Sequence, residues 1–138
     1  MPATVIVGGQ WGDEGKAKVV DFLMRGHDVV VRFQGGANAG HTVVTDAGRF
    51  AFHQIPSGIL YPHVTAILGN GMVIDPQAFL AELHDLVERG IDVNGRIHIS
   101  SAAQIVMPYH RMLDNLLEAD LKKESIGSTG KGIGPAYA

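Results

Sequence analysis

The sequence predicts an α/β domain: a largely parallel central sheet flanked by helices. Short β-branched runs alternate with stretches whose apolar residues recur at helical spacing, and that alternation is the pattern of parallel βαβ architecture. The strand-like runs also end in glycine-rich loops, where such folds bind ligands.

The elements follow in order. Thr4 to Val7, bounded by Gly8 and Gly9, reads as a buried strand. From about Lys16 to Met24, Val19, Val20, Leu23 and Met24 fall at helical spacing, and Gly26 stops the helix. Val29, Val30, Val31 and Phe33 form a second strand running into Gly35 and Gly36. Thr42 to Val44 and Arg49 to Ile55 read as a hairpin turning at Asp46, Ala47 and Gly48. Thr65 to Leu68 is a short strand ending at Gly69, Asn70 and Gly71. Asp75 is a good N-cap and Pro76 suits the first helical position. The helix they open has Phe79, Leu80, Leu83, Leu86 and Val87 on one face, and Gly90 ends it. Arg96 to Ile99 is a further strand. Pro108 to about Glu124 is a second amphipathic helix, with Leu113, Leu116, Leu117 and Leu121 expected inward.

Composition excludes several classes. The chain has 138 residues, 46% hydrophobic and 18% charged, which is too apolar for a charge-solvated disordered chain. Eleven Lys and Arg against fourteen Asp and Glu give a net charge of −3, against a general nucleic-acid binder. With no cysteine there is neither a disulfide framework nor a thiolate metal site. The opening residues lack a basic region, and no apolar run approaches ~20 residues, so a cytoplasmic protein without membrane contact is expected. The outlier is glycine, 18 of 138 residues, without a period of three.

Most of those glycines sit in three loops. The first, Gly8 to Lys18, follows a strand and opens a helix, where backbone N–H groups and a helix N-terminus bind phosphate. Gly15 and Lys16 match a Walker A loop, but Gln10 replaces its first glycine and Ala17 its hydroxyl residue. Asp13 is then the available oxygen donor for Mg²⁺. A strand-to-helix turn needing only backbone freedom is the alternative, and Trp11 reads as packing on that loop. The second loop, Gln34 to Thr42, places His41 to donate a proton or hydrogen bond to a phosphate oxygen. A histidine that merely satisfies turn backbone is the alternative. The third, Gly127 to Pro135, carries Ser128, Thr129 and Lys131 and suits either a phosphate or an open surface. His27, His53, His63, His84, His98 and His110 lack metal-ligand spacing and read as structural or surface residues.

Five segments taken together resemble adenylosuccinate synthetase in order and spacing: Gln10 to Asp21, Arg32 to Thr42, His53 to Leu60, Gly69 to Gly71, and Ser128 to Tyr137. The resemblance covers the whole chain. It implies a P-loop-NTPase-like fold and a GTP-dependent ligase that joins IMP and L-aspartate, with Mg²⁺, to give adenylosuccinate by way of 6-phosphoryl-IMP. Asp13 matches the general base and a Mg²⁺ ligand, His41 the general acid, and the Gly40 carbonyl a second Mg²⁺ ligand. Gly12, Asp13, Glu14, Gly15, Lys16, Ala17 and Lys18, with Gly40, His41 and Thr42, match the GTP-phosphate positions. Asp13, Glu14, Gly15, Lys16, Asn38, Ala39, Gly40, His41 and Thr129 match IMP contacts.

Two departures stand out. Most family members have glycine where Ala17 stands: alanine is harmless or favourable if that residue is helical, and costs about 1 kcal/mol if it needs positive φ or a phosphate approaches closely. Members are also roughly three times longer, beyond what one ordinary core supports. Residues 1–138 therefore read as the N-terminal nucleotide-binding portion of a larger catalytic domain, homodimeric when complete. The alternatives are a phosphate- or nucleotide-binding module without turnover and a generic P-loop-like NTPase.

Overall fold

A β-branched run becomes a strand only where a neighbour accepts its hydrogen bonds. In the computed structural model, which describes residues 2–9, 14–38, 40–45, 48–121 and 127–138, that condition sorts the expected strands. Strand β1 (Val29–Gly35) pairs in parallel with β4 (Thr65–Ile74), which pairs in parallel with β5 (Ile97–Ile99) and, further along, with β6 (Gln104–Ile105). Strands β2 (His41–Thr45) and β3 (Gly48–Phe52) form a separate antiparallel hairpin whose first pair is His41 with Phe52. The helices are α1 (Lys16–Leu23), α2 (Pro76–Glu88), α3 (Pro108–Leu121) and α4 (Ile133–Tyr137). The α/β class with a parallel sheet is as expected.

Five expectations need correction. Thr4 to Val7 is not a buried strand: residues 2–9 have no regular structure, and Val5 and Val7 are 74% and 72% exposed. Its composition suits a strand, but it belongs to neither sheet. The strand begun at Thr65 does not stop at Gly69 to Gly71 but runs through them to Ile74. Those glycines serve close approach rather than a turn, because a methyl on Gly71 would collide with the Phe33 carbonyl oxygen. The β1–β4 register shifts between Arg32 and Gln34 at this point. On α2, Leu86 is buried but Leu80 and Val87 are exposed. On α3, Leu113, Leu116 and Leu117 are exposed while Asp114 is buried, and the side chain of Leu121 lies outside the described residues. Periodicity says which side chains share a face, not whether anything covers it. The hairpin is also shorter than expected, since β3 ends at Phe52 and residues 53–55 turn away.

Two buried clusters hold the fold together, the smaller formed by Leu68, Met72 and Ile74. The larger, of Met24, Val30, Phe50, Phe52, Ile55, Ile59, Val64, Ala66 and Leu86, lies beneath the sheet and the hairpin. Arg96 closes its far end by donating to the Ile59 and Val64 carbonyls at 2.8 and 2.9 Å. On the opposite face of β1, Val29, Val31 and Phe33 are 46, 51 and 46% exposed. Parallel strands are ordinarily covered on both faces, so this surface is open apolar sheet.

Candidate active site

The second and third glycine loops meet at the carboxyl ends of β1 and β4. Gly36 is buried, and a side chain there would run into Ile133 and come within 2.9 Å of the Val73 carbonyl. Tyr137 on α4 bridges the two strands: its hydroxyl donates to the Gly71 carbonyl and accepts from the Gly35 N–H at 3.2 Å. The third loop is shaped by Asp114. This carboxylate accepts from the Ser128 hydroxyl at 2.6 Å and the Gly132 N–H at 2.7 Å, and the Gly130 N–H donates to Ser128 Oγ at 3.2 Å. Thr129 and Lys131 lie exposed on that loop.

The first loop keeps its described contacts local. Gly15 takes a left-handed conformation, φ +78°, as the N-cap of α1, which a side chain would strain. Glu14 and Lys16 form an ion pair of 2.6 Å, and the Lys16 ammonium lies over Gly8. The cation therefore folds back over the loop that precedes its helix. Ala17 is helical, so the methyl in place of glycine favours the helix. Lys18 is exposed on the same turn. Gly12 and Asp13, and Ala39 in the second loop, lie outside the described residues.

His41 begins β2. Its ring stacks on Phe52, with centroids 5.5 Å apart and planes 22° apart. Its Nε2 is buried without a hydrogen-bond partner among the described residues. Burial first, then the Arg32 guanidinium and the nearby His53, hold its pKa below the ordinary value, so the imidazole is neutral near pH 7. Gly40 is exposed beside it, as are Asn38 and Thr42.

The residues that hold this arrangement were not singled out as site residues in the sequence, although Arg32 and Gln54 lie in the family-like segments and Asp75 reads there as a helix cap. Arg32 donates to the carbonyls of His53, Gln54 (3.3 Å) and Gly36 (2.9 Å), tying the hairpin exit to the second loop. Burial pushes its pKa down, and Glu82 and Tyr137 oppose that. Glu82 on α2 accepts from the backbone N–H groups of His53, Gln54 and Ile55. The Gln54 side chain pairs with the Asp75 backbone, accepting at 2.8 Å and donating at 2.9 Å. Asp75 also caps α2 through Ala78 and pairs with Arg111. A cavity of about 260 Å³ opens here between Ala37, His53, Asp75, Arg111 and Lys131. A long-range anchor such as Glu82 looks in the sequence like any charge on an amphipathic helix; only the fold brings it to a turn 27 residues away.

Known proteins share both the sequence and this fold. Residues 5–138 match the family model described as adenylosuccinate synthetase. The chain is 54% identical over 138 residues to the adenylosuccinate synthetase of Prochlorococcus marinus (strain MIT 9515), covering all of this chain and 31% of that protein. It is 55% identical over 137 residues to that of Dehalococcoides mccartyi, covering 99% and 32%. Among solved structures, fully ligated adenylosuccinate synthetase from Plasmodium falciparum superposes with a TM-score of 0.81 at 40% identity, over 93% of this chain and 30% of that one. The succinoaminodeoxyadenylate synthetase of cyanophage S-2L, bound to dGMP and dATP, gives 0.68 at 26% identity, over 93% and 35%. The chain thus spans about a third of the length of these relatives. With matching loops, matching fold and a family model over nearly all its residues, it belongs to the adenylosuccinate synthetase family.

Proposed function

We propose that the protein carrying this chain ligates IMP and L-aspartate into adenylosuccinate at the expense of GTP, acting in the cytoplasm as a homodimer. The observation that carries this is His41: its Nε2 is buried with no hydrogen-bond partner among the described residues, while its ring is held on Phe52. A buried polar atom without a partner calls for one, and a phosphoryl oxygen supplies it. The relatives support two nucleotides in the site, since the phage enzyme holds a nucleoside monophosphate together with a nucleoside triphosphate.

The chemistry follows from the weakness of the C6 oxygen of IMP as a leaving group. Asp13 takes the N1 proton, so that O6 attacks the γ-phosphate of GTP and GDP leaves. The aspartate amine then attacks C6 and loses a proton, and the phosphorylated oxygen departs as inorganic phosphate. His41 donates to the transferring phosphoryl group and stabilises the charge that builds there. Phosphate anions entering beside it favour the imidazolium and offset the burial that keeps it neutral in the free chain. Lys16 and the N-terminus of α1 hold GTP phosphates, while Asn38 and Thr129 hold IMP. For magnesium, the Asp13 carboxylate and Gly40 carbonyl are hard oxygen donors of the kind that ion prefers, with substrate phosphates and water completing the shell. Bound there, the ion neutralises charge on the phosphates.

The test is an assay of the complete protein with GTP, IMP, L-aspartate and Mg²⁺, following adenylosuccinate. Asp13→Asn should abolish turnover and leave folding intact; retained activity removes Asp13 as the base. The 138 residues by themselves favour a second reading, because they amount to 31% of a relative's length. Alone, they hold GTP or IMP weakly without turnover, and product formation by the chain alone would exclude that.

A further inference from the structure

Glu82 sits in the middle of α2 with a side chain only 9% exposed. Its helical neighbours Phe79, Leu83 and Leu86 pack in or against the core. Burying a carboxylate is costly unless donors surround it. Here the donors are the N–H groups of one irregular turn: His53 at 3.0 Å, Gln54 at 2.9 Å and Ile55 at 3.0 Å. Burial raises the pKa of Glu82, and those same N–H groups, with His53, oppose the rise.

Arg32 grips the turn from the other side, through the carbonyls of His53 and Gln54. The peptide groups therefore lie with N–H toward the anion and C=O toward the cation. The turn leads directly to His41. The His53 imidazole, with Nδ1 3.6 Å from Glu82 Oε1, lies so close to Gly40 that a methyl there would stand 2.9 Å from the ring. Phe52, one residue earlier, is the cross-strand partner of His41 and the ring on which it stacks.

Resting on the reading of His41 as the group that meets the phosphoryl oxygen, we infer that Glu82 is a positioning residue for it. Its carboxylate fixes the turn at residues 53–55, which carries His53 and follows directly on Phe52 at the end of β3, and these two side chains set where the His41 ring and the Gly40 backbone stand. It touches no reacting atom.

The test is made on the complete protein carrying this chain, with amide exchange read by mass spectrometry and the His41 ring followed by selective isotope labelling and NMR. In wild type, the amides of His53, Gln54 and Ile55 should be protected from exchange. Glu82→Gln should raise their exchange about tenfold to a hundredfold, as expected for losing a charged acceptor. The same change should weaken the contacts between the His41 and Phe52 rings and shift the His41 ring resonances. Glu82→Asp should restore part of both. Leu86→Ala, one turn further along α2, should lower stability without moving His41. His41 resonances unmoved by Glu82→Gln, or moved as far by Leu86→Ala, would overturn the inference. If Glu82→Gln does not fold, Glu82→Asp is read against wild type: the same resonances must move in the same direction, and no movement overturns the inference. Every readout is structural, so a failed ligase assay counts against the reaction and not against this role.

Discussion

The imidazole of His41 lies nearly parallel to the ring of Phe52, 5.5 Å away across the first pair of the β2–β3 hairpin. Phe52 is 1% exposed and stacks in turn on Phe50, so a core aromatic forms the floor beneath a polar group at the site. Phe52→Ala should cost about 3–5 kcal/mol in urea denaturation, as for other buried aromatics cut to alanine. Phe52→Leu should cost less yet still broaden the His41 ring signals in NMR, because it fills volume without offering a flat surface.

The environment of His41 sets a pH dependence. Its pKa is held below the ordinary 6.5 by burial, then by Arg32 and His53. A group with a lowered folded pKa contributes stability that is complete above the unfolded value and lost as the pH falls through the folded one. Its ring protons should therefore titrate below 6.5 in the free chain. The stability advantage of wild type over His41→Gln should shrink on acidification below that pH. Equal slopes for the two proteins would contradict this. Glu82, raised mainly by burial, acts in the opposite sense: its contribution is complete below about 4.5 and declines as the pH rises through its folded value.

Asp114 should prove the keystone of the third loop. Removing the carboxylate by Asp114→Ala leaves the Gly132 N–H and the Ser128 hydroxyl without their acceptor. A stability loss of about 1–3 kcal/mol is expected. Amide exchange should rise at residues 127–132 while the amides of β1 and β4 keep their protection.

Gly71 tests the close approach of β1 and β4. Gly71→Ala would drive a methyl into the Phe33 carbonyl oxygen and force the strands apart, costing about 1–3 kcal/mol by overpacking. Gly26→Ala, where nothing stands within 4 Å and φ is not positive, should be tolerated. Thermal melts of the two variants make the comparison.

The open sheet face predicts association. Val29, Val31 and Phe33 are about half exposed, alongside exposed leucines on α3. The 138-residue chain should self-associate at micromolar concentration through apolar surface. Sedimentation velocity should show this, and Val31→Lys should reduce it.

What the sequence determined by itself was local or carried by long motifs. The Asp75 cap with Pro76, the helix opening after Gly15 and the strand at Val29 all rest on short-range chemistry, and each stands where expected. The loops bearing Lys16, His41 and Thr129 were also legible, because clustered glycines are themselves a signal. Tertiary structure decided the rest. Whether Thr4 to Val7 pairs, whether β4 runs through its glycines and which leucines of α3 are covered all depend on what lies across space. So does the setting of His41, which rests on Phe52, His53, Arg32 and Glu82, residues brought from three strands and turns and one helix. Hydrogen bonds and apolar contacts act over a few ångströms regardless of separation along the chain. A periodic pattern can therefore place a side chain on a face, and only the packed fold gives that face a partner.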